Sequence, residues 1–88
     1  AEAWAIIHPG DTATMYATPL AGQLVEFTTA AGTAPLDIFE ANPCHFVGNG
    51  HNIDDPQDPY TSAATATGRV SGVTYRFRFD GSIWQCVN

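Results

Sequence analysis

The stretch from Gly48 to Pro59 concentrates oxygen-bearing side chains in the sequence GNGHNIDDPQDP. Carboxylate and amide oxygens at such short intervals are the ligands that calcium prefers, although the spacing is not that of an EF-hand. The same residue types, Asn, Asp, Gly and Pro, also form ordinary turns. A calcium site therefore remains an alternative here, while the sequence as a whole predicts no bound metal and no other cofactor.

Long loops in small domains frequently carry function, and no strand or helix pattern is visible between Gly48 and Pro59. We therefore expect this loop, residues 48–59, to be the contact surface of the molecule. The candidate binding residues in it and next to it are His51, Asp54, Asp55, Asp58 and Tyr60.

Two arginines, Arg76 and Arg78, form a second candidate binding site. They alternate with aromatic residues, so they project from the same face of a strand. Two guanidinium groups at this spacing suit a carboxylate or a sulfate on a partner. The alternative is that they protect an exposed sheet from aggregation and pair with nearby acids.

A catalytic set of histidine, acid and arginine is a third possibility. A small nuclease needs a base, an acid and a cation, for which the candidates are His45 or His51, Glu26 or Glu40, and Arg76. Nothing in their spacing brings these residues together, and no serine lies in a nucleophile-elbow motif. The sequence therefore predicts a protein without catalytic activity.

The chain contains two cysteines, Cys44 and Cys86, which lie far apart and outside any CxxC motif. This arrangement is typical of a structural disulfide, and closing so long a loop would stabilise the fold by about 4 kcal/mol in the chain-entropy model. Small disulfide-bonded domains are typical of the extracellular space. We therefore expect a Cys44–Cys86 disulfide in a secreted protein, with two buried thiols as the alternative.

Length and charge limit the remaining possibilities. The 88 residues suffice for one domain, residues 1–88, and nine acids against three arginines give a net charge of −6. Such a surface repels phosphate backbones and anionic lipids, so we expect no nucleic-acid partner. No apolar run approaches the roughly 20 residues of a membrane helix, and no signal peptide is visible, so we expect a processed chain without membrane insertion.

The clearest structural pattern lies in the segment from Val73 to Asn88. Its aromatic residues alternate with polar ones, as in a half-buried strand, and Asp80-Gly81 predicts a hairpin with a two-residue loop. All the large apolar side chains then share one face, because that loop pairs Phe79 with Ser82, Phe77 with Trp84 and Tyr75 with Cys86.

Shorter patterns in the rest of the chain predict further strands separated by turns. The predicted strands are Trp4–His8, Thr12–Thr18, Gln23–Thr29, Cys44–Val47 and edge strands within Tyr60–Ser71, and Leu36–Glu40 is long enough for only one helical turn. The spacing of the turns indicates an all-β fold, a small antiparallel β-sandwich or small barrel with one disulfide and a C-terminal β-hairpin.

Together these observations predict a secreted, non-catalytic binding or interaction domain that recognises a protein or glycan partner through loop 48–59. An alternative is a structural subunit of an extracellular filament or coat, which would assemble through open edge strands around Thr61–Thr67. A small secreted hydrolase or nuclease is the third and weakest hypothesis.

Overall fold

The computed structural model describes residues 2–30 and 36–87, apart from the side chains of residues 2–4, 36, 37, 59 and 60. This part of the chain is mostly β-structure with one short helix. In chain order its elements are β1 Glu2–Ile7, β2 Thr12–Thr14, β3 Leu24–Thr29, α1 Leu36–Ala41, β4 Cys44–Val47, β5 Ile53–Asp55, β6 Asp58–Ala63, β7 Thr65–Gly68, β8 Thr74–Phe79 and β9 Trp84–Cys86. None of the helical structure in the described residues is long and apolar enough to cross a membrane.

The strands form two sheets. The large sheet has six strands in the order β1-β3-β8-β9-β5-β6, and the small sheet has three in the order β2-β4-β7. Each sheet has two edge strands, so neither sheet closes on itself within the described residues. The predicted all-β class is confirmed. The small-barrel alternative is not confirmed, because the sheets are open.

Both sheets are mixed, so the prediction of an antiparallel fold is wrong. The pairs β1–β3, β2–β4 and β5–β9 are parallel, and the remaining pairs are antiparallel. For β1–β3 and β2–β4 the reason is that the first four strands alternate between the sheets. The chain reverses its direction each time it crosses to the other sheet. After two crossings it returns to the first sheet in its original direction, so the new strand is parallel to the earlier one.

The core lies between the two sheets. The ring of Phe46 on β4 contacts Phe27 on β3 and both Tyr75 and Phe77 on β8, with centroids 5.0 to 5.5 Å apart. Along β8 the buried side chains alternate with exposed Arg76 and Arg78, as the sequence predicts. Each large side chain in this core stabilises the fold by about 1.5–3 kcal/mol through burial.

The C-terminal hairpin is present, but its register differs from the prediction by two residues. Phe77 pairs with Cys86 and Phe79 with Trp84, so the loop contains four residues, 80–83. The Asp80 carboxylate accepts hydrogen bonds from the backbone N–H groups of Ser82 and Ile83, at 2.7 and 2.8 Å. This side chain therefore stabilises a wider turn, and the even shift leaves every side chain on its predicted face.

The predicted disulfide is wrong, because Cys44 and Cys86 are both thiols. The Cys44 thiol donates a hydrogen bond to the Gly68 carbonyl at 3.2 Å and lies near the ring of Tyr75. The predicted register would have brought Cys86 to the level of Tyr75. The observed register places it opposite Phe77, about 7 Å further along the sheet. The expectation of secretion consequently loses the argument on which it rested and stays an untested prediction.

Candidate functional site

The segment between Gly48 and Pro59 is not one long loop, as expected from the sequence. It contains a tight turn, the strand β5 and the start of β6. Ile53 is fully buried, and the backbone N–H of Trp84 donates to the Asn52 carbonyl at 2.9 Å, which fixes this strand beside β9. The sequence offered little sign of a strand here, because the stretch contains one large apolar residue among turn formers.

Two of the predicted binding acids accept hydrogen bonds from backbone N–H groups of this chain. Asp54 accepts a hydrogen bond from the backbone N–H of Cys86 at 3.3 Å, where β5 diverges from β9. Asp55 accepts one from the N–H of Gln57 at 2.9 Å in the turn between β5 and β6. Asp58 lies opposite Asp55 across that turn. Among the residues that the structure describes, no three or more His, Cys, Asp or Glu side chains are placed to hold a metal ion.

The other candidate residues of this region lie apart from the acids. The imidazole of His51 is half-buried and meets the ring of Phe79 edge-on, with centroids 4.8 Å apart. It therefore packs over one end of the core. Tyr60 lies on β6, and its side chain is outside the described part of the structure.

Arg76 and Arg78 share the outer face of the large sheet, as predicted, but they do not act as a pair. The guanidinium Nε of Arg76 lies 2.8 Å from a carboxylate oxygen of Glu26 on the neighbouring strand. This partly exposed ion pair stabilises the fold by at most about 1 kcal/mol. Arg78 lies between Leu24 and Gln85.

The residues considered for a nuclease do not meet. His45 is exposed on the small sheet, between Thr12 and Thr67, on the side opposite its buried neighbour Phe46. Glu26 and Arg76 lie on the outer face of the large sheet, so the core separates them from His45. His51 contacts Phe79, whose side chain lies on the opposite face of β8 from Arg76, so neither described histidine of that set meets the arginine.

A concave surface that the sequence did not predict lies between the edge strands β1 and β2. A cavity of about 270 Å³ opens there, lined by residues 5–7, residues 11–14 and Phe27. A second cavity of about 160 Å³ continues from it past Met15, Tyr16 and Val25. Thr14 and Phe27 belong to both linings, so the two cavities form one groove, which we call the cleft.

The cleft has an apolar floor and an exposed rim. Ile7 and Met15 are buried beneath it, whereas Ile6 and Tyr16 are 54% and 47% exposed. Large apolar side chains beside a concavity are a common feature of binding surfaces. Such a groove has room for a few side chains of another molecule.

A short turn connects the two walls of the cleft. The Asp11 carboxylate accepts a hydrogen bond from the backbone N–H of His8 at 2.7 Å and lies 3.5 Å from the His8 imidazole. Gly10 between them has a φ of 82°, which a residue with a side chain rarely adopts. Asp11 is the one charged residue in the cleft lining that the structure describes.

A signal for the cleft was present in the sequence. Ala5 and Ala13 line the cleft on the consecutive strands β1 and β2. The corresponding inward positions at the centre of the core are filled by large residues, Phe27 and Phe46. Small residues at inward positions on two adjacent strand patterns could have indicated a gap. The pattern did not reveal that these two strands form edges of different sheets.

Comparisons of the chain with protein-family models, with curated proteins and with solved structures each found no match.

Proposed function

We propose that this protein is a non-catalytic binding domain that receives a segment of a partner in the cleft between β1 and β2. The observation that carries the proposal is the cleft itself, a groove with an apolar floor that is open to solvent between two strand edges. A concavity with apolar side chains and a few polar groups is a first candidate for a binding site.

The proposal keeps the class of function that the sequence predicts, but it places the contact surface in the cleft and not in loop 48–59. Asp54 accepts a hydrogen bond from the Cys86 N–H, Asp55 accepts one from the Gln57 N–H, and His51 packs on Phe79. These residues therefore have fewer interactions to offer a partner than the rim of the cleft. The proposal also includes the finer fold description, in which the two sheets are the layers of an open β-sandwich joined through Phe46.

The test is a selection of phage-displayed random peptides on the wild-type protein, followed by binding measurements on two variants. Ala13→Leu fills the cleft with additional carbon atoms and should abolish binding of the selected peptides. Ala64→Leu adds the same atoms at an exposed position between β6 and β7 and should leave binding unchanged. Circular dichroism and thermal unfolding of both variants establish that they are folded.

Two results would contradict the proposal. One is a selection that yields no specific peptide, and the other is a set of peptides that bind Ala13→Leu as well as the wild type. A glycan array gives the second arm of the test. A glycan signal that Ala13→Leu removes, in the absence of selected peptides, assigns the cleft to a carbohydrate.

The filament or coat subunit remains a second candidate because β6 and β7, which include most of Thr61–Thr67, are edge strands of their sheets. Exposed edges can add strands of a neighbouring copy. Sedimentation velocity over a range of protein concentrations tests this function. A monomer at every concentration contradicts it.

A further inference from the structure

The outer edge of β2 presents backbone groups to the cleft. The Asp11 carbonyl accepts a hydrogen bond from the His45 N–H, and the Met15 N–H donates to the Val47 carbonyl, both at 2.9 Å. Successive residues of a strand direct their backbone groups to opposite sides. The N–H and C=O groups of Thr12 and Thr14 therefore point away from β4, toward the open edge.

The edge of β1 on the opposite wall is arranged in the same way. The Ile7 carbonyl accepts a hydrogen bond from the Ala30 N–H at 2.8 Å, so the backbone groups of Ile7 point toward β3. Those of Ile6, one residue earlier, point away from it. An extended segment in the cleft would consequently meet strand edges, with alternate side chains directed onto Ile7, Phe27 and Met15.

Charge distinguishes among the segments that could lie there. Asp11 stands at one end of the cleft, its side chain is 49% exposed, and the whole chain carries a net charge of −6 without a single lysine. A basic segment is attracted by both the local and the overall charge. A second copy of this chain is repelled by the overall charge, which disfavours self-association through the same groove.

We infer that the cleft binds an extended, basic segment of another protein, which adds as a strand to the outer edge of β2 and places a lysine or arginine beside Asp11. This inference rests on the proposed function and specifies the partner of the same site. The backbone of the segment supplies hydrogen bonds to Thr12 and Thr14, and its apolar side chains fill the cavity.

The first arm of the test varies the peptide and leaves the protein unchanged. The peptide Lys-Val-Thr-Val-Thr-Val-Lys is compared with the same sequence bearing glutamate at both ends and with a form N-methylated at alternate residues. Binding is measured by calorimetric titration. N-methylation should weaken binding roughly tenfold or more because it removes strand hydrogen bonds, and glutamate should weaken it about fivefold.

The second arm varies the protein with matched controls. Thr14→Pro removes an N–H that points into the cleft, and Thr67→Pro removes one that points outward from β7, the other edge strand of the small sheet. We expect roughly tenfold weaker binding of the lysine peptide to Thr14→Pro only. Asp11→Asn should remove the preference for lysine over glutamate. Asp80→Asn, at an acid that also stabilises a turn, should retain it.

The outcomes separate the inference from the proposed function. Binding that Ala13→Leu abolishes, but that N-methylation and Thr14→Pro leave intact, overturns strand addition while the cleft remains a binding site. Equal affinity for the lysine and glutamate peptides overturns the basic partner. Self-association of the wild type that Ala13→Leu removes assigns the cleft to a second copy. Failure of the lysine peptide, while phage-selected peptides without basic residues bind in the cleft, overturns the inference and leaves the proposed function. Failure of the phage selection contradicts the proposed function itself.

Discussion

Two of the connections between the sheets join an edge strand of one sheet to an edge strand of the other, on opposite lateral sides of the molecule, and these two connections differ in length. On what we call the closed side, β6 leads into β7 through Ala64 alone. On the open side, β1 leads into β2 through residues 8–11. The Cα atoms on either side of one residue lie at most about 7 Å apart, less than the roughly 10 Å between packed sheets, so β6 and β7 must meet at a corner.

The four connecting residues on the open side form a turn in which the Asp11 N–H donates to the His8 carbonyl at 3.0 Å, so β1 and β2 need not meet at a one-residue corner. Small residues face inward on both sides, with Ala66 and Gly68 on the closed side and Ala5 and Ala13 on the open side. On the closed side the neighbouring groups fill the space that these residues leave. On the open side that space is the cleft. Small inward residues alone therefore do not produce a groove, and the groove lies on the side with the longer connection.

The largest expected effect concerns the packing of the closed side and should appear in thiol chemistry, with Cys86 on the inner strand β9 as the reference. Cys44 is fully buried beside Gly68, and burial raises the pKa of its thiol above the ordinary value of 9.0, whereas Cys86 is partly exposed. With one cysteine retained in each variant, Cys44 in Cys86→Ala should react with iodoacetamide about a thousandfold more slowly than Cys86 in Cys44→Ala. Mass spectrometry of timed samples measures both rates, and similar rates would show that the closed side opens readily.

The raised pKa of Cys44 also has a consequence for stability. Below the ordinary thiol pKa both the folded and the unfolded chain hold the proton, so the stabilisation is complete. As the pH rises past that value the unfolded chain releases its proton first, and the free energy of unfolding falls. We expect urea midpoints of the wild type to decrease in alkaline buffer more than those of Cys44→Ala, and parallel pH profiles would contradict the burial of this thiol.

An added methyl group on the closed side should cost about 2 kcal/mol of stability. A Cβ at position 68 would lie 2.8 Å from the Cys44 sulfur and 3.0 Å from ring carbons of Phe46 and Tyr75. Gly68→Ala should therefore lower the free energy of unfolding measured in urea. Combining it with Cys44→Ala should recover part of the loss, because the closest atom is then absent. If Gly68→Ala left the free energy of unfolding unchanged, the closed side would be less tightly packed than the structure shows.

The same substitution on both sides should change stability in opposite directions. Ala13→Val adds two methyl groups to the wall of the cavity and should raise the free energy of unfolding by about 0.5–1 kcal/mol. Ala66→Val adds them to a residue that is 2% exposed and should lower it by about 1–3 kcal/mol. Equal effects of the two substitutions in urea would remove the distinction between the sides.

The smallest effect is expected in the loop 80–83, which belongs to neither side. Hydrogen bonds from the backbone of Ile83 and Ser82 lower the pKa of Asp80 below its ordinary value of 3.8. The stabilisation is present above that value and is lost as the pH falls through the pKa of the folded state. The melting temperature of Asp80→Asn should therefore decrease less in acid than that of the wild type. An identical acid dependence would contradict the turn.

Some of the fold followed from the sequence because the side chains of a strand alternate between two faces. The alternation in Val73–Phe79 predicted which residues of β8 are buried and that Arg76 and Arg78 point outward. It could not predict the hairpin register, because the Asp80 carboxylate stabilises a four-residue loop where Asp-Gly suggested two residues. An error of two residues in the register leaves each side chain on the correct face of the sheet but changes the residue opposite it on the neighbouring strand.

The functional residues were harder to predict than the core. Arg76 and Asp54 were named as binding residues from their types, but in the structure Arg76 forms an ion pair with Glu26 and Asp54 accepts a hydrogen bond from the Cys86 N–H. Those partners lie 50 and 32 residues away along the chain, beyond the reach of any local pattern. Local patterns could not predict the cleft either, because its walls come from two different sheets.

The sequence by itself determined the β-class, the inward faces of the best-patterned strands and the strongly acidic charge, because these properties depend on local alternation and on composition. Only the tertiary structure decided which strands pair, which strands are edges and whether Cys44 and Cys86 meet. Each of these depends on pairing between distant segments, where a shift of two residues moves a side chain about 7 Å without changing its face.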